Sequence, residues 1–100
     1  MEFTRTKIIC TVGPATQNIK TLKKLHSEGM NVVRINMSHA DHKQAKAIIS
    51  RVNKINSELS KNTTPIGILL DTQGPEIRTG DTAMPLDLVT GDEVTLTVRD

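Results

Sequence analysis

Three short apolar runs alternate with two segments of helical period, and this alternation constrains the fold more than any other feature of the chain. Lys7-Ile8-Ile9-Cys10-Thr11-Val12 is β-branched and stops at Gly13-Pro14, the pattern of a strand ending in a turn. Ile19, Leu22 and Leu25 follow at helical spacing, with Thr16 or Asn18 available as N-cap and Gly29 placed for a left-handed exit. Val32-Val33-Arg34-Ile35-Asn36-Met37 reads as a second strand. Asp41 then caps the longest pattern, Ala45, Ile48, Ile49, Val52, Ile55 and Leu59, whose opposite face of Lys43, Lys46, Arg51, Lys54 and Glu58 reads as solvated. Pro65 closes the loop behind it. Ile66-Gly67-Ile68-Leu69-Leu70-Asp71-Thr72 is almost continuously apolar, as in a strand covered on both faces. Strand, crossover helix and strand in repetition predict an α/β fold with a parallel sheet and right-handed connections, either doubly wound or a barrel.

The character changes near residue 81. Asp81 to Pro85 is a polar, turn-rich link, Thr90-Gly91-Asp92-Glu93 supplies a turn, and Val94, Leu96 and Val98 alternate with Thr95, Thr97 and Arg99 as in a half-buried antiparallel strand. Residues 1–80 are therefore expected to form one unit and residues 81–100 to open a second, all-β one. A chain of 100 residues has no room to finish it. Three parallel strands also leave open edges where a closed eight-strand barrel takes about 250 residues, so a truncated chain is expected.

Composition closes several function classes. Thirteen Lys and Arg against eleven Asp and Glu give a net charge of +2, too close to balance for a polyanion-binding surface. Phe3 is the only aromatic residue, so stacking platforms for nucleic acid are missing. No apolar run exceeds three residues, as in Ile68-Leu69-Leu70, against the roughly 20 a membrane span requires, and residues 1–15 lack the apolar centre of a signal peptide. Cys10 stands alone, which excludes an intrachain disulfide and a thiolate metal cluster and reads as a small buried hydrophobe in a strand. A cytoplasmic location is expected.

In a parallel α/β architecture ligands gather at the carboxyl ends of the strands. The two-residue period places Val32, Arg34, Asn36 and Ser38 on one face of the second strand and Val33, Ile35 and Met37 on the other. Asp71 and Thr72 end the third strand, and Gln73-Gly74-Pro75-Glu76-Ile77-Arg78 follows. Two arginines suit a phosphorylated ligand, because the planar fork donates paired hydrogen bonds to phosphate. Asn36, Ser38 and Asp71 offer hard oxygens that suit a hard cation better than zinc or copper. The plainer alternative is a structural Arg34–Asp71 pair, with Asn36 and Ser38 merely ending a strand and capping the next helix. His26 and His42 fall within helical patterns and read as surface or packing residues.

Lys7 to Ala15, Gly29-Met30-Asn31-Val32-Val33-Arg34-Ile35-Asn36-Met37-Ser38-His39 and Leu69-Leu70-Asp71-Thr72-Gln73-Gly74-Pro75-Glu76-Ile77-Arg78-Thr79-Gly80 together resemble the amino-terminal part of the pyruvate kinase family. The motifs stand in the family's order and spacing, and the resemblance covers nearly the whole chain. It implies the first βαβαβ units of a TIM-type (β/α)8 barrel, with residues 81–100 opening the β-barrel lid domain. It also implies transfer of the phosphoryl group of phosphoenolpyruvate to ADP, giving pyruvate and ATP in glycolysis, with Mg²⁺ and K⁺ as cofactors and a homotetrameric parent. By resemblance, Arg34 would contact the phosphoryl group of phosphoenolpyruvate. Asn36, Ser38, Asp71 and Thr72 would hold K⁺, Thr72 through its backbone carbonyl. Asn36, Ser38, His39 and Arg78 would serve the nucleotide, and Glu76 would mark K⁺ dependence, since relatives with Lys there carry a fixed positive charge instead. Gln73 departs from the commoner Lys of the motif, a substitution also found in relatives. The Mg²⁺ ligands and the Lys that stabilises the transition state come from later strands in the family, so the segment alone would hold no catalytic residue and is expected to be inactive. Two other readings use the same residues: a short non-catalytic module that binds phosphorylated metabolites, and a structural fragment that self-associates through open strand edges.

Overall fold

The structure, a computed structural model, describes residues 4–98. Its elements are β1 (Ile8–Thr11), α1 (Ile19–Ser27), β2 (Met30–Asn36), α2 (His42–Glu58) and β3 (Gly67–Asp71), which is the βαβαβ order expected from the apolar periods. The strands form one parallel sheet in the order β1-β2-β3.

Local chemistry explains where the helices begin and end. Asn18 caps α1 by accepting from the Thr21 N–H at 2.8 Å, so the second of the two expected caps is the one used. Gly29, just beyond the helix, has φ +115°, a conformation an L side chain rarely adopts, and it turns the chain directly into β2. Asp41 and Gln44 form a reciprocal capping box on α2, with Gln44 N–H donating to Asp41 Oδ1 at 2.7 Å and Asp41 N–H to Gln44 Oε1 at 3.0 Å.

The core lies between the helices and one face of the sheet. Leu22 from α1, Ala45, Ile48, Val52 and Ile55 from α2, and Val33 and Ile35 from β2 are buried together with Val12, Met30 and Ile66. Asn56 ties α2 to the entry of β3: its Nδ2 donates to Ile66 O at 2.9 Å and its Oδ1 accepts from Ile66 N–H at 2.8 Å. Because Ile66 is buried, its backbone groups have no ready water to replace these bonds. Asn56→Ala should therefore cost about 2 kcal/mol, read as a lower urea midpoint, and an unchanged midpoint would show that the clamp carries no stability. On the surface, Lys23 Nζ meets Glu58 Oε2 at 2.6 Å, and this ammonium holds the Glu58 carboxyl below its usual range.

Four expectations need correction. β3 is not covered on both faces: Ile68, Leu69 and Leu70 are all exposed, because β3 is an edge strand whose one described neighbour is β2 and which α2 flanks only across an open groove. Cys10 is half-buried rather than buried, since β1 is likewise an edge strand. Arg51 is not wholly on the solvated face of α2; its side chain is half-buried and Nη1 donates to Gln17 O at 2.9 Å, joining α2 to the loop before α1. Finally, residues 94–98 form no strand and are exposed, while Arg99 lies outside the described residues, as does Phe3. The turn before them does form: Asp92 N–H donates to Val89 O at 3.1 Å, and Asp92 Oδ2 accepts from Val89 N–H at 3.0 Å. Residues 72–98 extend away from the sheet, so the radius of gyration is 18.6 Å, where a compact chain of this length has about 13 Å.

Candidate functional site

The register of the sheet decides which side chains share a face. Thr11 pairs with Arg34, Arg34 with Leu69 and Asn36 with Asp71. Since paired residues of a parallel ladder point the same way, Ile9, Thr11, Val32, Arg34, Asn36, Leu69 and Asp71 lie on the face opposite the helices. That face is apolar toward the strand beginnings and polar toward their carboxyl ends, so the polar groups gather at one rim.

At this rim Arg34 joins three strands. Its Nε donates to Asp71 Oδ2 at 3.0 Å, its Nη2 donates to the same oxygen, and its Nη1 donates to Thr11 Oγ1 at 3.0 Å. The structural Arg34–Asp71 pair weighed from the sequence is therefore present. It does not exhaust either partner. A guanidinium has five N–H donors, so one on each Nη is left over, and the other Asp71 oxygen, Oδ1, accepts nothing from the described residues. Both side chains reach solvent, at 30% and 45% exposure, so a ligand at the rim could meet them.

The loop from β2 to α2 is held against the same rim. Asn36 Oδ1 accepts from Ser38 N–H at 3.0 Å, Asn36 O accepts from His39 and Ala40 N–H, and Met37 N–H donates to Asp71 O at 2.9 Å. Asn36, Ser38 and Asp71 are thus brought together, and their donor set is all hard oxygen with no thiolate or imidazole. Such chemistry fits a hard cation better than zinc or copper. Among the described residues, no group of three or more His, Cys, Asp and Glu side chains is arranged to hold a metal ion.

The remaining expected residues are placed differently. Thr72 follows Asp71 by one position, so its side chain turns to the helix side and, with Leu70, Gln73 and Met37, lines an open groove of about 850 Å³ beside α2. His39 is exposed in the loop. Arg78 is exposed in the segment after β3, where its Nε meets Glu76 Oε2 at 3.3 Å, and no described hydrogen bond or ion pair links it to the rim. His26 has a packing role, with Nε2 at 2.9 Å from Thr64 O, and His42 begins α2. Thr11 is the residue that sequence reasoning missed. The β-branched run marks it only as a strand residue, although its place at the carboxyl end of β1 makes its hydroxyl informative.

Comparison with known proteins gives a consistent result. Residues 3–100 match the family model described as the pyruvate kinase barrel domain. The chain is 48% identical over 95 residues to plastidial pyruvate kinase 2 of Arabidopsis thaliana, covering 95% of this chain and 16% of the relative. It is 44% identical over 96 residues to a pyruvate kinase of Chlamydia muridarum, covering 96% of this chain and 19% of the relative. The crystal structure of Cryptosporidium parvum pyruvate kinase superposes with a TM-score of 0.64 at 38% identity, over 71% of this chain and 14% of that one. The chain thus spans less than one fifth of the length of these relatives.

Proposed function

The chain belongs to the pyruvate kinase family, and from that premise we propose that it is the amino-terminal part of an enzyme that transfers the phosphoryl group of phosphoenolpyruvate to ADP. The observation that carries this reading is the Arg34 guanidinium fixed at the carboxyl rim of the sheet with N–H groups left over, beside the hard oxygens of Asn36, Ser38 and Asp71. Phosphoryl transfer asks the protein mainly for positioning and for charge placed where negative charge gathers. Arg34 supplies both for the phosphoryl group of phosphoenolpyruvate. Asn36, Ser38, Asp71 and the Thr72 carbonyl would hold K⁺, which supplies a further positive charge beside the same group. His39 and Arg78, with Asn36 and Ser38, would serve the nucleotide. Arg78 reaches it once it leaves Glu76, a pair exposed to water and so weakly held.

The same reading makes residues 1–80 part of a barrel and residues 81–100 the opening of a lid domain. Open apolar surface on both sides of β3 supports the first point, because a barrel continues the sheet and covers it with helices and interior side chains. The alternating pattern around the Val89–Asp92 turn supports the second. Mg²⁺ would add charge beside the phosphates, and its ligands would come from later strands of the barrel, since among the described residues no group of three or more His, Cys, Asp and Glu side chains gathers to hold a metal ion. We propose a homotetrameric parent in the cytoplasm, where a lone cysteine stays reduced; one relative bears a plastidial name.

The test is a pyruvate-formation assay of the full-length protein with phosphoenolpyruvate, ADP and Mg²⁺, with and without K⁺ and with no other monovalent activator. Glu76 leads us to expect a rise of at least tenfold with K⁺, while the 100-residue segment alone forms no pyruvate. Equal turnover without K⁺ would refute the cation assignment, and turnover by the segment would refute the partition of the site.

A further inference from the structure

We infer that Thr11 is a positioning residue for Arg34, holding its guanidinium so that the unused N–H groups face the phosphoryl group; this rests on the role proposed above for Arg34. A long arginine side chain has several rotatable bonds, and one anchor at its end leaves it free to swing about that anchor. Asp71 alone is such an anchor, because both Nε and Nη2 converge on its single oxygen Oδ2. The second anchor lies on the opposite neighbouring strand, where Thr11 Oγ1 accepts from Nη1 at 3.0 Å. Two fixed points, one on β1 and one on β3, span β2 and define the plane of the guanidinium.

The choice of a hydroxyl follows from charge. A carboxylate at position 11 would add a second negative group beside the site meant for a phosphate, and Arg34 would be drawn into a closed triad. A neutral acceptor fixes Nη1 without that penalty. It also leaves one N–H on each Nη, the paired arrangement that suits two oxygens of a phosphoryl group. Thr11 is exposed on the open face of the sheet, so its hydroxyl is not required to satisfy a buried partner. Its bond to Arg34 is then a matter of orientation more than of stability.

The experiment compares Thr11→Val, Thr11→Ser and Arg34→Ala in the full-length protein, measuring KM for phosphoenolpyruvate, KM for ADP, kcat and thermal midpoint. Thr11→Val preserves shape and removes the acceptor. We expect it to raise KM for phosphoenolpyruvate about tenfold, the lower part of the range for a hydrogen bond to a charged group, with KM for ADP and the midpoint unchanged. Thr11→Ser should restore the KM. If Arg34→Ala raises the KM and Thr11→Val does not, the positioning role is overturned while the Arg34 assignment stands. If both Thr11 variants raise both KM values and lower the midpoint together, the residue packs and does not position. If Arg34→Ala itself leaves phosphoenolpyruvate unaffected, the Arg34 assignment and the role of Thr11 fall together.

Discussion

Replacing Arg34 with alanine is expected to lower kcat/KM for phosphoenolpyruvate by about 10²- to 10³-fold in the full-length protein, the loss seen when one preorganised donor to developing charge is removed. Arg34 lies mid-ladder on β2 with a strand on each side, so its backbone is fixed by pairing to Thr11 and Leu69, and its head is held by side chains of both flanking strands. The unfolding midpoint should move little, because the ion pair with Asp71 is partly solvated and such pairs contribute roughly 0–1 kcal/mol. Large loss of activity with small loss of stability is the signature to look for. Arg34→Lys should recover only part of the activity, since an ammonium keeps the charge but loses the planar fork. An alanine variant with unchanged kcat/KM would remove the basis for placing the phosphoryl group at this rim.

Leu22→Ala is expected to have the largest effect on stability, about 2–5 kcal/mol. Leu22 is fully buried and is the one residue of α1 that is, standing over the β2 face formed by Val33 and Ile35. The described core has no aromatic side chain and is made of Leu, Ile, Val, Met and Ala, so its members have few large neighbours able to relax into a vacated space. A loss of this size is a large part of the roughly 5–15 kcal/mol that holds a domain together. Urea unfolding of the variant beside Lys24→Ala, an exposed residue of the same helix, separates the cavity from any effect of helix propensity. Equal midpoints for the two variants would show that α1 does not depend on this contact.

The elements that were legible in the sequence share a property. Asp41 and Gly29 act within a few residues of themselves, so this cap and this exit could be read from spacing, whereas the choice of Asn18 over Thr16 and the reciprocal bond of Gln44 to Asp41 came from the structure. The buried stripe of α2, at Ala45, Ile48, Val52 and Ile55, follows the helical period for the same reason. The alternation in β2 correctly separated Val33 and Ile35 from Arg34 and Asn36. What failed were statements about surroundings. The apolar run of β3 predicted cover on both faces where the strand lies exposed at the sheet edge, and the alternation at 94–98 predicted a strand that finds no partner among the described residues. A strand exists only through its neighbours, and its own pattern cannot supply them.

Sequence alone therefore determined the order of strands and helices, the Asp41 cap that starts α2, the Gly29 exit from α1, which face of β2 is polar, and the motifs that place the chain in its family. Only the tertiary structure decided what Arg34 touches. Its contacts with Thr11 and Asp71 are 23 and 37 residues away in the chain, and they exist because the parallel register sets Arg34 beside one and a step from the other. Periodicity fixes a side chain's face through local backbone geometry. Its partners on that face depend on strand order and register, which arise only when distant segments pair.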